Sequence, residues 1–197
     1  CNKSFKIIKA DRNLLNLSII DRCKEIVKLY KPDWIINCGA YTNVEQAEID
    51  TELAFNINAE APKAFAESLK EYGGRLLQIS TDYVFSGNQC MPYKTNEKRD
   101  PLNIYGKSKL QGEKAVEDLL GKEMLCHIVR TSWLISPFGK NFALKILDLH
   151  SKHEKIRIIS DQIGSPTSSY SLACACWRLI EKKSANNKEL EIPTKLH

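Results

Sequence analysis

The sequence predicts an α/β fold in which helices pack on both faces of a parallel, doubly wound sheet. Two patterns support this prediction: short apolar runs typical of fully buried strands, and longer segments whose apolar residues recur at helical spacing. The two kinds of segment alternate five times, and the connections between successive strands are too long for hairpins. Right-handed crossovers between parallel strands satisfy this order, so we expect ligands to bind at the carboxyl ends of the strands.

Five runs rich in apolar and β-branched residues predict the strands. In chain order they are residues 5–10, 34–40, 75–81, 125–131 and 155–160. The runs at 34–40 and 75–81 are almost continuously apolar and end in small or hydroxylated residues, as expected for strands covered on both faces.

Five segments with helical spacing predict the helices. In chain order they are residues 19–30, 51–72, 103–120, 141–153 and 170–182. The first begins after Ser18 and ends before Pro32. The second is capped by Thr51, interrupted at Pro62 and ended by Gly73.

Composition and charge favour a soluble globular domain and argue against several functional classes. The 197 residues are 43% hydrophobic and 27% charged, with a net charge of +5, and no apolar run approaches the roughly 18 residues of a membrane span. Lys and Arg form no stripe interleaved with aromatic residues, so nucleic acid is not an expected partner. We therefore expect a cytoplasmic protein without membrane contact, whose mild excess of cations suits small anionic ligands.

The cysteine pattern indicates neither disulfides nor a metal site. Seven cysteines are an odd number, no pair has the C-x-x-C spacing, and no cluster of histidines lies nearby. Cys23, Cys38 and Cys126 lie in apolar segments, where a free thiol acts as a small hydrophobic side chain. We expect no bound metal.

Three residues have the chemistry of a proton-transfer site. Tyr105 and Lys109 are four residues apart at the start of a predicted helix, hence on one face, and a nearby ammonium lowers the pKa of a phenol. Thr81 ends a buried strand at the edge where ligands bind, and its hydroxyl could bond the oxygen that Tyr105 protonates. The alternatives are a solvated helix face for the Tyr and Lys pair, and a local turn cap for Ser80 and Thr81.

Six segments resemble, in order and spacing, those of the extended short-chain dehydrogenases/reductases, and among these the reductases of deoxysugar nucleotides. The most specific are Ser80-Thr81-Asp82-Tyr83-Val84-Phe85 and Gly164-Ser165-Pro166-Thr167. The others lie within residues 11–17, 31–45, 101–109 and 130–133. The resemblance covers nearly the whole chain and implies a Rossmann-like fold, with an NAD(P)-binding domain at residues 1–160 and the start of a substrate-binding region at residues 161–197.

The resemblance implies hydride transfer from NADPH or NADH to the C4 ketone of dTDP-4-dehydro-6-deoxy-L-mannose, giving dTDP-L-rhamnose. Tyr105 would be the acid that protonates the developing alkoxide, and Thr81 would orient the keto oxygen. Lys109 would hold the nicotinamide ribose and lower the Tyr105 pKa. The catalytic set that it implies is therefore Thr81, Tyr105 and Lys109.

The resemblance also implies two binding sets. The cofactor set is Asp11, Asn16, Leu17, Ala40, Tyr41, Thr42, Tyr105 and Lys109. The substrate set is Thr81, Asp82, Tyr83 and Trp133, where the indole would offer an apolar face to the pyranose. Asp11 would accept hydrogen bonds from the adenosine ribose, whereas the adjacent Arg12 would suit a 2′-phosphate, so the choice between NADH and NADPH stays open.

The chain departs from this family at the glycine-rich phosphate loop. None of its nine glycines forms G-x-G-x-x-G or G-x-x-G-x-x-G between a strand and a helix. In the family this loop lies on the first strand-turn-helix, so we expect a sheet that is incomplete, without its first βα unit, and a chain that also stops before the last substrate-domain elements. A pyrophosphate would lose its helix N-terminus, and we expect this polypeptide to bind dinucleotides weakly or not at all.

Two other functions stay open. An NDP-sugar epimerase or dehydratase shares this family, although a dehydratase typically has an acidic pair after the threonine and Asp82 is followed here by Tyr83. A non-catalytic regulatory subunit, resembling the β subunit of methionine adenosyltransferase, would act through a protein partner. A homodimer is compatible with the resemblance. A metal bridge between subunits is not expected, because residues 168–170 lack carboxylates.

Overall fold

The computed structural model describes residues 5–139, 141–152, 155–158 and 161–185. The chain divides into two compact units, Cys1–Thr131 and Ser132–His197. This division by compactness falls earlier in the chain than residue 160, where the sequence predicts the end of the cofactor-binding domain. The functional assignment of the two parts stays a prediction.

A three-stranded parallel sheet forms the centre of the first unit. Its strands are β1 (Trp34–Asn37), β2 (Arg75–Thr81) and β3 (Cys126–Thr131), in the order β1-β2-β3. The register pairs Ile36 with Leu77 and Thr81 with Thr131, so the last residues of β2 and β3 lie side by side. The predicted α/β class with a parallel sheet is confirmed.

The helical segments of the first unit are α1 (Ile20–Tyr30), α2 (Val44–Ala47), α3 (Thr51–Phe55), α4 (Ala61–Lys70) and α5 (Ile104–Val116). Its main core joins α1 and α4 to β2, with Phe65, Leu69 and Leu76 almost completely buried. Val116 and Leu120 complete this core from the end of α5 and the turn that follows it. The apolar face of each helix therefore packs toward the strands, as the helical spacing predicts.

Two π-helical turns modify the predicted helices. The predicted helix 51–72 consists of α3, a π-helical segment Asn56–Glu60 (the first π segment) and α4, with Pro62 in the first turn of α4. A second π segment, Glu117–Gly121, follows α5 directly. The sequence predicts an interruption of this helix at Pro62. In the structure the helix widens into the first π segment just before Pro62, and Pro62 itself lies in the first turn of α4, a position that proline tolerates.

Two predicted strands are absent from the described residues. Residues 5–10 are exposed and have no regular structure, and Ile7 is 61% exposed. A β-like composition does not form a strand unless a neighbouring strand satisfies its backbone groups, and the three-stranded sheet consists of β1, β2 and β3. Of the predicted strand 155–160, residues 155–158 have no regular structure, and 159 and 160 lie outside the described residues.

The second unit contains two short strands and two helices. Strands β4 (Leu134–Ile135) and β5 (Thr167–Ser168) pair in parallel, and helices α6 (Phe142–Lys152) and α7 (Ser169–Ala185) follow them in the chain. These helices confirm the predictions at 141–152 and 170–182, and residue 153 of the first prediction lies outside the described residues. Within the described ranges, no helix of either unit has the length and apolar character needed to cross a bilayer.

Candidate active site

The carboxyl end of β2 presents a hydroxyl in a fixed orientation. Thr81 is 5% exposed, and a single 3-10 turn (Asp82–Val84) follows it. The Thr81 Oγ1 accepts a hydrogen bond from the backbone N–H of Tyr83 at 3.2 Å and donates one to Asp82 Oδ1 at 3.1 Å. Thr81 therefore caps a local turn, which is the alternative that the sequence left open for it. Its hydroxyl also lies at the edge of the sheet where we expect ligands to bind.

The phenol of Tyr105, in the first turn of α5, lies next to the Thr81 hydroxyl. Burial raises the Tyr105 pKa, a hydrogen bond with the Thr81 side chain opposes the increase, and the negative charge of Asp82 adds to it. The Tyr83 ring packs edge-on against the Tyr105 ring, with centroids 5.5 Å apart and planes at 76°. Tyr105 is thus a protonated phenol at neutral pH, held between a hydroxyl and an aromatic ring.

Lys109 lies one turn later on the same helix and is 4% exposed. Its Nζ donates a 2.7 Å hydrogen bond to the backbone carbonyl of Ile79, two residues before Thr81 on β2. Burial lowers the Lys109 pKa to about 8, and the nearby Glu113 and Cys38 oppose this decrease. The sequence predicts that Lys109 lowers the Tyr105 pKa, but in this structure burial of the phenol dominates and raises it.

Helix α5 begins at a well-satisfied N-terminus, which fixes the position of Tyr105. The Asn103 side chain accepts a hydrogen bond from the N–H of Gly106 at 2.8 Å, and the Glu48 carboxylate accepts one from the N–H of Ile104 at 2.8 Å. Such caps satisfy backbone donors that a helix leaves free. Gly106 has a further role, because a Cβ built there would lie 2.2 Å from the carbonyl oxygen of Tyr83.

A buried amide, which the sequence argument did not single out, joins three segments around α5. Asn58, in the first π segment, accepts a hydrogen bond from the N–H of Tyr41 at 2.9 Å and donates to the Tyr41 carbonyl at 3.1 Å. It also donates to Ser108 Oγ at 3.0 Å, and Ser108 Oγ donates to the Tyr105 carbonyl at 2.8 Å. Asn58 therefore connects the segment after β1 to the turn of α5 that carries Tyr105.

A buried charge cluster, also missed from the sequence, lies one turn beyond Lys109. Glu113 is 1% exposed, and Arg130 of β3 binds its two carboxylate oxygens at 2.9 and 2.7 Å. Arg99 binds Glu113 at 2.9 Å and also Glu117 at 2.9 Å. Burial alone would raise the Glu113 pKa, but the hydrogen bonds and charges of these arginines outweigh it and hold the pKa below its usual range.

The predicted cofactor residues divide into two groups. The first group lies near the carboxyl edge of the sheet. Ala40, Tyr41 and Thr42 follow β1 in the chain. Leu17 packs against Gly39, because a Cβ built on Gly39 would lie 2.5 Å from Leu17 Cδ1.

Asp11 and Asn16 form the second group and already bond to the local chain. Asp11 Oδ1 accepts hydrogen bonds from the N–H groups of Asn13 and Leu14, both at 3.0 Å. Asn16 Oδ1 accepts from the N–H and the hydroxyl of Ser18. The structure therefore shows these two side chains as turn caps.

The predicted substrate residues lie in both units. Asp82 and Tyr83 form the turn after Thr81 in the first unit, and burial raises the pKa of each. Trp133 belongs to the second unit, where it is 41% exposed and its ring centroid lies 6.2 Å from that of Phe142. Thr81, Tyr105 and Lys109 are thus brought together within one unit, and Trp133 is described within the other.

The parallel sheet, with hydroxyl, phenol and ammonium groups at its carboxyl edge, places the fold in the Rossmann-like class of dehydrogenases. A family model confirms the assignment at the level of sequence, since it matches residues 2–194. The chain belongs to the family described as the RmlD substrate binding domain.

Named relatives share this assignment. The dTDP-4-dehydrorhamnose reductase of Escherichia coli strain K12 is 42% identical over 149 residues, which are 76% of this chain and 49% of that protein. The chain therefore spans about half the length of this curated relative.

Solved structures agree in fold. A dTDP-4-dehydrorhamnose reductase from Clostridium acetobutylicum superposes with a TM-score of 0.86 and 34% identity, over 93% of this chain and 64% of that one. The dTDP-4-dehydrorhamnose reductase from Bacillus anthracis strain Ames, solved in complex with NADP, gives a TM-score of 0.83 and 38% identity, over 90% and 62%.

Proposed function

We propose that this chain carries the catalytic centre for the NAD(P)H-dependent reduction of the C4 ketone of dTDP-4-dehydro-6-deoxy-L-mannose (dTDP-4-dehydrorhamnose), giving dTDP-L-rhamnose. The observation that carries the proposal is the Tyr105 phenol next to the Thr81 hydroxyl, one helical turn from the buried Lys109, whose Nζ bonds β2 at Ile79. The names of the relatives supply the substrate class, and the NADP bound to the Bacillus anthracis enzyme supplies the cofactor class.

The residues around Lys109 fit a nicotinamide cofactor. An ammonium has three donors, and the bond to the Ile79 carbonyl uses one of them, which leaves donors for ribose hydroxyls. The segment that follows β1 begins with the small residues Cys38, Gly39 and Ala40, and Leu17 packs against Gly39. When bound, the reduced nicotinamide supplies the hydride that is added to C4 of the sugar.

Tyr105 would act as the acid. Reduction of a ketone needs a proton donor for the alkoxide that develops on its oxygen, and a phenol with a raised pKa holds its proton at neutral pH. After the transfer, Tyr105 would be a phenolate, and the Lys109 ammonium would stabilise it across one helical turn. Solvent would then return the proton to Tyr105.

Thr81 would orient the keto oxygen. Its hydroxyl donates to Asp82 Oδ1 in this structure, and a rotation about the Cβ–Oγ1 bond would redirect the proton toward a substrate oxygen. The hydrogen bond that Thr81 Oγ1 accepts from the N–H of Tyr83 holds this oxygen in place. Asp82 and Tyr83 would contact the sugar from the same turn.

An assay with reduced nicotinamide tests this proposal. The chain is incubated with dTDP-4-dehydrorhamnose and either NADPH or NADH, the loss of reduced nicotinamide is followed, and the sugar nucleotide is identified by mass spectrometry. At nicotinamide concentrations high enough to offset the weak binding expected without a glycine-rich phosphate loop, we expect one equivalent of cofactor oxidised for each dTDP-L-rhamnose formed. Tyr105→Phe should slow the reaction by about 10²–10⁴-fold, whereas Tyr30→Phe, which changes a half-exposed phenol on α1, should leave the rate unchanged.

The same assay separates the alternatives. Conversion of the sugar nucleotide without net oxidation would contradict the reductase and favour an epimerase or dehydratase. Binding of both ligands without any conversion, together with capture of a protein partner that Tyr105→Phe also captures, would favour a regulatory subunit. We also propose a cytoplasmic location and a homodimer, which fractionation of cells and sedimentation of the purified chain would test.

A further inference from the structure

Trp133 has a backbone conformation that is unusual for its residue type. Its φ is 42°, in the left-handed region that side chains with a Cβ rarely adopt. A residue in this region is strained, and the conformation persists only where its surroundings impose it. The surroundings of Trp133 should therefore contain the contacts that hold it.

Three interactions fix the segment around Trp133 to residues 164–168. The Trp133 carbonyl accepts a 3.1 Å hydrogen bond from the N–H of Thr167, and the next residues pair as β4 and β5. Ser132 Oγ donates a 2.7 Å hydrogen bond to the carbonyl of Ser165. The backbone on both sides of the indole is therefore tied to one partner segment.

The indole itself lies directly over Gly164. A Cβ built on Gly164 would lie 2.6 Å from Cε2, 2.7 Å from Nε1 and 3.0 Å from Cζ2 of Trp133. The first two distances are shorter than real Cβ contacts and the third is unusually tight, so the indole occupies space that any other residue at 164 would fill. Gly164 does not have a positive φ, so its lack of a side chain is required here for space and not for backbone conformation.

We propose that Gly164 is a positioning residue, which holds the Trp133 indole as a rigid, partly exposed platform for the sugar ring of the substrate. This inference rests on the proposed function, because it takes the sugar nucleotide as the ligand of Trp133. A platform of fixed orientation gains affinity because the ligand does not have to order it. The remaining 41% exposure of Trp133 leaves surface for a pyranose to cover.

The test replaces Gly164 by alanine in the full chain labelled with 5-fluorotryptophan. The sequence has three tryptophans, so ¹⁹F NMR gives three resonances, and loss of one in Trp133→Phe assigns the Trp133 signal. The clashing atoms belong to a side chain that is able to rotate, so we expect Gly164→Ala to remain folded and to shift this signal alone. Gly121→Ala is the matched control, because its Cβ would meet nothing closer than 3.9 Å.

Titration with two probes then tests the link to the sugar. We expect dTDP-L-rhamnose to shift the Trp133 signal and dTDP alone to leave it unchanged. Gly164→Ala should weaken binding of dTDP-L-rhamnose about fivefold to tenfold and leave the affinity for dTDP unchanged. Gly121→Ala should change neither affinity.

Several outcomes would overturn the inference. These are a Trp133 signal that Gly164→Ala does not move, an equal loss of affinity for both probes, and a wild-type Trp133 signal that dTDP-L-rhamnose does not shift. Failure of the proposed function would give a different result. Nicotinamide would not be oxidised, but dTDP-L-rhamnose would still shift the Trp133 signal and Gly164→Ala would still weaken binding of dTDP-L-rhamnose.

Discussion

The Asn58 amide and the Ser108 hydroxyl are joined by a 3.0 Å hydrogen bond across fifty residues of sequence. The same amide bonds both backbone groups of Tyr41, and Ser108 bonds the carbonyl of Tyr105. The segment after β1, where we propose that the cofactor lies, is in this way connected to the helix that carries the proposed acid. The orientation of Tyr105 therefore depends on contacts that lie outside its own helix.

Replacement of Asn58 should destabilise the chain, because Asn58→Ala removes the hydrogen bonds to both backbone groups of Tyr41 and the bond donated to Ser108. We expect the free energy of unfolding to fall by about 1–3 kcal/mol, as measured by urea denaturation. Asn88→Ala changes an exposed amide and should have no measurable effect. An Asn58→Ala variant as stable as wild type would mean that these hydrogen bonds contribute nothing to the fold.

Gly112 should tolerate no side chain. A Cβ there would lie 2.1 Å from the carbonyl oxygen of Asn58, a backbone atom that has little room to move. Gly112→Ala should therefore destabilise the chain by about 1–3 kcal/mol, although alanine in a helix normally stabilises by about 1 kcal/mol. Gly121→Ala serves as the control, and an increase in thermal midpoint for Gly112→Ala would contradict this packing.

The buried ammonium of Lys109 should lower the free energy of unfolding at neutral pH. Its pKa is lowered to about 8 in the folded chain, below the usual value of 10.5, so the folded state releases its proton first. The cost of burying the charge is fully present below about pH 8 and is lost as the pH rises toward 10.5, because the unfolded chain binds more protons in that window.

Lys109→Met tests this linkage. The variant should be inactive, yet at pH 7 it should be at least as stable as wild type in urea, and its advantage should shrink by pH 10. Lys107→Met, at an exposed position of the same helix, should show no such pH-dependent difference. A Lys109→Met variant whose difference from wild type is the same at both pH values would contradict the assignment.

Glu113→Gln should be strongly destabilising, because it removes the buried carboxylate that binds the partly buried guanidinium groups of Arg130 and Arg99. We expect a loss of about 3–5 kcal/mol in denaturant unfolding at neutral pH. The pKa of Glu113 is below its usual range, so its contribution is present above the usual carboxyl pKa and is lost as the pH falls through the lowered value. The variant and wild type should therefore converge in acid, whereas Glu123→Gln, at an exposed position, should match wild type throughout.

Thr81 and Tyr105 should differ in their effect on turnover. Tyr105→Phe removes the proton donor, and we expect kcat to fall by about 10²–10⁴-fold with little change in KM. Thr81→Val removes one hydrogen-bond donor to the developing alkoxide, and we expect a loss of about a hundredfold. If Tyr105→Phe retained wild-type kcat in steady-state assays, the proton would come from another group.

Much of the fold follows from local sequence patterns. The apolar runs at 34–40 and 75–81, the helical spacing before Pro32 and the Asn103 cap each express a preference that a few neighbouring residues set. The same holds for the relation of Tyr105 to Lys109, since a spacing of four on a helix places both on one face. The run at 5–10 shows the limit, because strand formation depends on a partner that composition does not specify.

The partners across the fold are decided by tertiary structure alone. Nothing in the local sequence around Asn58 indicates that its amide reaches Tyr41 and Ser108, or that Glu113 is bound by Arg99 and Arg130. Burial also reversed one expectation, because the Tyr105 pKa depends on desolvation by residues distant in sequence. The sequence by itself determined the class of fold and the residue types of the site, since periodicity and motif spacing are local properties. Hydrogen-bond partners, burial and protonation depend on which distant segments pack together, and only the folded chain decides those.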